Sequence, residues 1–220
     1  MSSSSIRPPS PSPSVLPPAY EPAQLPNETT VYMFSPEGFN NMLLVPPSNL
    51  PDSQPRYHIS VALNVWNPLS FITVVRRGGT DSGPIVGEFE MDISTLPGTI
   101  SVGDDTKFLR ETIVDSERNS KFLWTFRADK RQHIHWERAV TDAGFLYTCF
   151  LVSPQVKLAQ YLGPTVKKRN RSTPLTVFPE GQRYLDDIVL SILVVERRRF
   201  RPSPPKTTSV LEQHGHWWSA

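Results

Sequence analysis

The stretch DDIVLSILVVERRRF, Asp186 to Phe200, decides how the rest of the chain is read. Its apolar run, Ile188 to Val195, is open to three readings: a strand, a membrane segment or a helix sealed inside a domain. A bilayer span needs roughly 20 apolar residues, so this run is far too short. Ile, Val and Leu favour a strand by propensity. The flanks favour a helix. Asp186 and Asp187 stand where the positive end of a helix dipole attracts acid, and Arg197, Arg198 and Arg199 stand where its negative end attracts base. Apolar side chains on every side of such a helix would require burial all round. Pattern alone leaves strand and buried helix evenly matched.

Upstream of that run the chain has the texture of short strands. YHISVALNVW, from Tyr57, alternates in part and is rich in β-branched and aromatic residues. Asn67-Pro68 breaks it, and LSFITVVRR supplies a second strand. GGTDSG is turn chemistry, because its glycines take positive φ without strain. In PIVGEFEMDI, Ile85, Gly87, Phe89 and Met91 are expected to face one way, while Val86, Glu88, Glu90 and Asp92 mostly face water. TISVG, KFLRETIV, KFLWTFRA, HIHWERA, GFLYTCFLV, VKLAQYL and PLTVF follow, separated by Gly, Pro, Asp or Asn. So many short strands predict a meander that must close or stack to hide its edges.

The ends read differently. Proline numbers 23 of 220 residues and gathers towards both termini. Residues 1–52 are expected to be a largely disordered Pro/Ser-rich arm, 53–202 the folded domain and 203–220 a flexible tail. Within the arm, EGFNNMLLV is open between a turn of helix and a short docking strand. The N-terminus MSSSSIRPPSPSPSVLPP lacks a signal-peptide core, and its prolines break any targeting helix. A single cysteine, Cys149, excludes an internal disulfide. An intracellular protein, cytoplasmic or nuclear and without a transmembrane segment, is expected. The net charge of +2 argues against wholesale nucleic-acid binding.

The order of pieces resembles a domain family of unknown function abundant in mushroom-forming fungi. The resemblance is carried by YHISVALNVWNPLSFITVVRRGG, IVGEFEM, KFLWTF, HIHWERA, GFLYTCF, KLAQYLGP and PLTVFPEGQRYLDDIVLSILVVERRR. That family also looks like the tubby and LURP-one group. The resemblance implies a mainly β fold: a closed antiparallel barrel of roughly twelve strands threaded by an apolar C-terminal helix. It thereby selects the helix for Asp186 to Arg199. A helix about 16 Å long suits the task, since a barrel too wide to fill with side chains needs a plug.

Several residues invite a functional reading. PPAY, with Pro17, Pro18 and Tyr20, matches the PPxY ligand of WW domains. A polyproline II segment is already extended and loses little entropy on docking. In fungi the motif resembles the docking site of a WW-containing ubiquitin ligase. KKRNR, with Lys167, Lys168, Arg169 and Arg171, forms a basic loop. Kinship with tubby implies an anionic-lipid (phosphoinositide) site there, with Arg76 and Arg77 as further contributors. The plainer reading is a solvated loop or half of a nuclear localisation signal.

Other candidates have blander readings. His133 and His135 would share a strand face and begin a metal site, but no third ligand stands nearby in sequence. Asp104–Asp105 and Glu88–Glu90 are assigned to solvent, Cys149 to packing, and Trp66, Trp124 and Trp136 to core or barrel wall. Ser10, Ser12 and Ser203 precede prolines and suit proline-directed phosphorylation. No nucleophile elbow, phosphate loop or zincin helix is present in the sequence, so a non-catalytic module without cofactor is expected. An enzyme with a pocket assembled from dispersed residues is the remaining alternative.

Overall fold

The computed structural model describes residues 26–35, 38, 40–50, 52–66, 70–91, 97–116, 120–163 and 172–199. Thirteen strands in these residues build one sheet. In chain order they begin with β1 (Thr30–Phe34), β2 (Asn41–Val45), β3 (Tyr57–Leu63), β4 (Phe71–Arg77), β5 (Ile85–Glu90) and β6 (Thr99–Val102). β7 (Asp105–Phe108) passes through a single helical turn, α1 (Leu109–Thr112), into β8 (Ile113–Ser116). β9 (Lys121–Trp124), β10 (Ile134–Thr141), β11 (Gly144–Leu151), β12 (Lys157–Gly163) and β13 (Thr173–Val177) complete the wall. A 3-10 turn at Pro179–Tyr184 then feeds α2 (Leu185–Arg199).

The stretch Asp186 to Arg199 is therefore helical. Every residue from Ile188 to Val195 is buried. Partners reach α2 from β3, β4, β5, β8, β9 and β10, so the sheet wraps around it. Full burial of each large aliphatic side chain is worth roughly 1.5–3 kcal/mol, which outweighs the strand propensity of Ile and Val. Gly87 shows how close the packing is. A Cβ there would stand 3.0 Å from Leu190 Cδ1 and 2.9 Å from the Ser101 carbonyl oxygen. No helix among the described residues is long and apolar enough to cross a membrane.

The fold is mainly β, one large antiparallel sheet with a C-terminal helix, and the closure expected of a barrel is not seen as a ladder among the described residues. The strand order is β7-β6-β5-β4-β3-β2-β1-β13-β12-β11-β10-β9-β8, and no ladder joins β7 to β8. The two end strands are consecutive in the chain and joined by α1 alone. All twelve pairings in that order are antiparallel, and an odd number of strands leaves the first and last pointing the same way. A ladder between them would have to be parallel, and parallel neighbours need a crossover of about a dozen residues or more. The four residues of α1 are too few. The same α1 corrects the reading of KFLRETIV, which is not one strand but the end of β7, a turn of helix and the start of β8.

The disordered arm expected over 1–52 also needs correcting. β1 and β2 lie within it and occupy the middle of the sheet, with β1 paired to β13 and to β2. Tyr32, Phe34 and Leu44 enter the core, and that burial offsets the local Pro/Ser composition. EGFNNMLLV resolves in favour of a strand at its end.

A third correction concerns β5. Ile85 is 52% exposed whereas Val86 is buried, the reverse of simple alternation. The β4–β5 register slips between Val75 and Arg76, so Arg76 pairs with Ile85 while Val75 pairs with Gly87. One extra residue there turns Val86 inward.

Candidate functional site

α2 offers polar groups at its two ends, and each end is met by wall residues far away in sequence. At its start, Asp186 accepts from the Tyr57 hydroxyl at 2.5 Å and from Arg77 Nη2 at 2.5 Å. Asp187, only 5% exposed, accepts from Trp124 Nε1 at 3.1 Å and is paired with Arg127, whose Nε lies 3.1 Å from Oδ2. Burial lifts the Asp187 carboxyl above its ordinary range, and the indole and guanidinium only partly offset this. The Tyr57 hydroxyl is raised well above its ordinary value, first by burial and then by the neighbouring Asp186. One turn further, Trp136 Nε1 donates to Ser191 Oγ at 2.9 Å, and that hydroxyl donates to the Ile188 carbonyl at 3.1 Å. Ahead of the helix the Tyr32 hydroxyl donates to Gln182 Oε1 at 2.9 Å.

At the other end the helix presents arginines. Arg198 Nη1 donates to Asp115 Oδ1 at 2.9 Å and to the Ile113 carbonyl at 3.3 Å, and its Nη2 reaches the Leu109 carbonyl at 3.4 Å. This one side chain ties the end of α2 to α1 and β8. Lys107 makes a second tie, donating to the Phe126 carbonyl at 2.6 Å. Arg199 pairs with Glu196 at 2.9 Å and lies over Phe145, which Arg138 also faces. A Cβ on Gly163 would stand 2.9 Å from Glu196 Oε1 and 3.1 Å from Arg199 Nη1, so a larger residue would displace this pair. Tyr147 is pushed up to about 12, by burial first and Glu196 second, and Tyr161 is raised by the same causes.

The pole where α2 ends also exposes apolar residues. Leu63 and Phe71, a cross-strand pair, are 50% and 56% exposed, and Val65 and Trp66 beyond them reach 82% and 93%. The wall position expected for Trp66 is thus wrong. β3 ends at Leu63, so Trp66 stands past the strand. Trp124 and Trp136 are fully buried as expected.

The remaining sequence candidates fall as follows. Pro17, Pro18 and Tyr20 lie outside the described residues, as do Lys167, Lys168, Arg169, Arg171, Ser10, Ser12 and Ser203. Arg76 donates to the Gly83 carbonyl, and Arg77 holds Asp186. His133 lies 2.9 Å from the Arg127 carbonyl, and His135 stacks on Phe150 and approaches Glu137. Among the described residues no three His, Cys, Asp or Glu side chains gather to hold a metal.

Asp104 and Asp105 are exposed, but Glu88 and Glu90 are half-buried rather than solvated. Glu90 accepts from Asn64 at 2.9 Å and from the Ser70 hydroxyl. Cys149 is fully buried, and that burial raises its thiol well above the ordinary value, which suits packing and not attack. Of the groups with shifted titration, Asp187 and Tyr57 join the wall to α2. Asp187 has its donors, and the tyrosines are sealed.

Sequence reasoning missed the partners of Asp186 and Asp187. Its one available signal was a pair of acids ahead of an all-apolar helix, since buried acids need donors from somewhere.

Residues 45–201 match the model of a family described as a family of unknown function (DUF6593). No curated protein and no solved structure matches the chain.

Proposed function

The chain belongs to that family of unknown function, and we propose that it is a non-catalytic binding or scaffold module that works through its outer surface and its N-terminal arm. The observation that supports this most is the filling of the sheet's interior by α2, whose residues from Ile188 to Val195 are all buried. A reaction centre is favoured by concave, partly wet sites with convergent polar groups. Here the interior polar groups instead bind the helix to the wall. The working contact is then the arm: Pro17, Pro18 and Tyr20 recruit a WW-domain partner such as a ubiquitin ligase. Calorimetric titration of the full chain with a PPxY-binding WW domain tests this. Saturable binding that vanishes in Tyr20→Ala is the expected result, and binding unchanged by that substitution removes the motif from the account.

A second reading, docking on an anionic membrane, is favoured by the pole where α2 ends. β12 stops at Gly163 and β13 starts at Thr173, beside the Glu196–Arg199 pair. The segment bearing Lys167, Lys168, Arg169 and Arg171 leaves and rejoins the sheet there, where Val65 and Trp66 are exposed. Cations near an anionic surface gain about 1 kcal/mol each, and tryptophan favours the interface. Sedimentation with phosphoinositide-bearing against neutral vesicles over a salt series tests it. Retention that weakens with salt and needs the four cations is expected; absence of retention at low salt overturns it. Kinship with the tubby and LURP-one barrels and a fungal source belong to the same proposal, and a sheet wrapped around an apolar helix supports the first.

A further inference from the structure

At the pole where α2 ends, one carboxylate holds up an exposed apolar tip. Asn64 Nδ2 donates to Glu90 Oε1 at 2.9 Å, and the Ser70 hydroxyl donates to the same oxygen. The Asn64 amide donates to the Ser70 carbonyl at 3.0 Å, which joins the two stems of the connection from β3 to β4. Asn64 Oδ1 in turn accepts from the Trp66 amide at 2.9 Å, a side-chain turn that sets the backbone of Val65 and Trp66. The support thus ends in two apolar side chains that stand in water. We propose that Val65 and Trp66 form a wedge that enters a lipid bilayer below its headgroups, with Glu90 as the positioning residue. The wedge deepens the membrane reading and rests on it for the partner, but not on the four cations.

A single exposed apolar side chain is ordinary, whereas several gathered at one pole are not. Leu63 pairs with Phe71 across β3 and β4, and Val140 pairs with Phe145 across β10 and β11. Leu63 shares its face of β3 with Tyr57, whose hydroxyl reaches α2. Val140 shares its face of β10 with Trp136, whose indole reaches Ser191. Both pairs therefore belong to the inward face of the wall, and Arg199 over Phe145 sets the second pair at the end of α2. Leu63, Phe71 and Val140 are nevertheless exposed. They form an apolar rim beside the wedge.

The spread of these groups selects the partner. Four strands separate β3 from β11, which at about 4.8 Å per neighbour sets the two parts of the rim roughly 24 Å apart along the wall. A peptide groove gathers its apolar residues on adjacent elements, but a flat apolar layer meets a whole rim. Charge agrees with that layer. α2 ends at this pole in Arg197, Arg198 and Arg199, and Arg138 lies with Arg199 over Phe145. Glu196 and Asp115 pair with two of these arginines. Guanidinium groups suit the phosphates of a bilayer surface, and tryptophan is the side chain enriched at its boundary.

Vesicles of phosphatidylcholine, with and without phosphatidylserine and with bromine on the acyl chains, test this on the full chain. Trp217→Phe and Trp218→Phe leave Trp66 as the reporter, since Trp124 and Trp136 are sealed in the core. On binding, its emission should shift to the blue and be quenched by the bromines. Trp66→Ala should weaken retention about tenfold without moving the unfolding midpoint, and Trp66→Phe should keep most of it. Glu90→Ala should weaken retention less, and Glu90→Gln, which keeps an accepting oxygen, should restore it. Retention with neither quenching nor loss in Trp66→Ala overturns the wedge while the membrane reading stands. Retention that needs Trp66 but ignores salt and the four cations supports the wedge and removes their role. No retention on either vesicle overturns both. Glu90→Ala that binds like its parent removes Glu90 from the assignment.

Discussion

The first turn of α2 and its last turn meet the same wall with opposite charge, and different chemistry holds each of them. At the start, two carboxylates take donors from side chains of the wall: a tyrosine, an indole and two guanidinium groups. At the end, Arg198 reaches outward to two backbone carbonyls and to Asp115 near the surface. Both arrangements suit the helix dipole. They differ in depth. Asp187 is 5% exposed, whereas the Arg198 side chain keeps 20% and its partner Asp115 keeps 38%. The first end is anchored through buried groups that are costly to orphan, and the second through groups that water can partly replace.

The strongest way to break this contrast is Asp187→Ala. It leaves the Trp124 indole without an acceptor and removes the partner of Arg127. A loss of ~2–4 kcal/mol is expected, below the fully buried range because Arg127 retains water access. Urea unfolding measures it, and a loss under ~1 kcal/mol would put the two ends on a par.

The same residue has a pH signature. Burial raises the folded Asp187 carboxyl above its ordinary value of 3.8. In the window between 3.8 and the raised value the folded state therefore holds more protons than the unfolded state. The contribution is fully present below that window and is lost as pH rises through it. Asp187→Asn cannot titrate, so the stability of the wild type relative to this variant should fall as pH rises across the window. A difference that is flat or rises would contradict the assignment.

Ser191→Ala comes next. It orphans the Trp136 indole in a fully buried site and should cost ~1–3 kcal/mol, seen as a lower denaturant midpoint with unchanged slope. Arg198→Met should cost less, ~1–2 kcal/mol, because Asp115 can turn to solvent. Its exchange effect should concentrate in α1 and β8, which Arg198 holds; uniform acceleration would show that this stretch is no weaker than the rest of the wall. Arg77→Ala is the smallest, below ~1 kcal/mol, since the Arg77 side chain is 58% exposed and Tyr57 still holds Asp186.

Much of the wall was legible in the sequence because strand signals are local. Alternation, β-branched runs and Gly or Asn turns marked β3 to β6 and β9 to β13, whereas the charged flanks left helix and strand evenly matched until the family resemblance selected the helix. β1 went unread although TVYMF has the right residues, because its Pro- and Ser-rich surroundings outweighed a five-residue signal. The β5 reversal depended on a bulge that no local pattern announces. The anchors were out of reach for a different reason. Asp186 finds Tyr57 129 positions away, and Asp187 finds Trp124 63 positions away. Only the wrapping of the whole wall around α2 decides which donor stands over which acid. The odd number of strands was equally hidden, because counting them correctly required finding β1, β2 and the break at α1.

The plug is the last part of this domain to be synthesised. Thr30 must wait 177 − 30 = 147 residues for its ladder partner Val177, and the apolar helix follows later still. At about 5–20 residues per second that wait is roughly 7 to 30 s, during which the inward face of each new strand has no core to cover it. The nascent wall is thus most exposed to aggregation until α2 follows it. Only then can the wall settle around the helix.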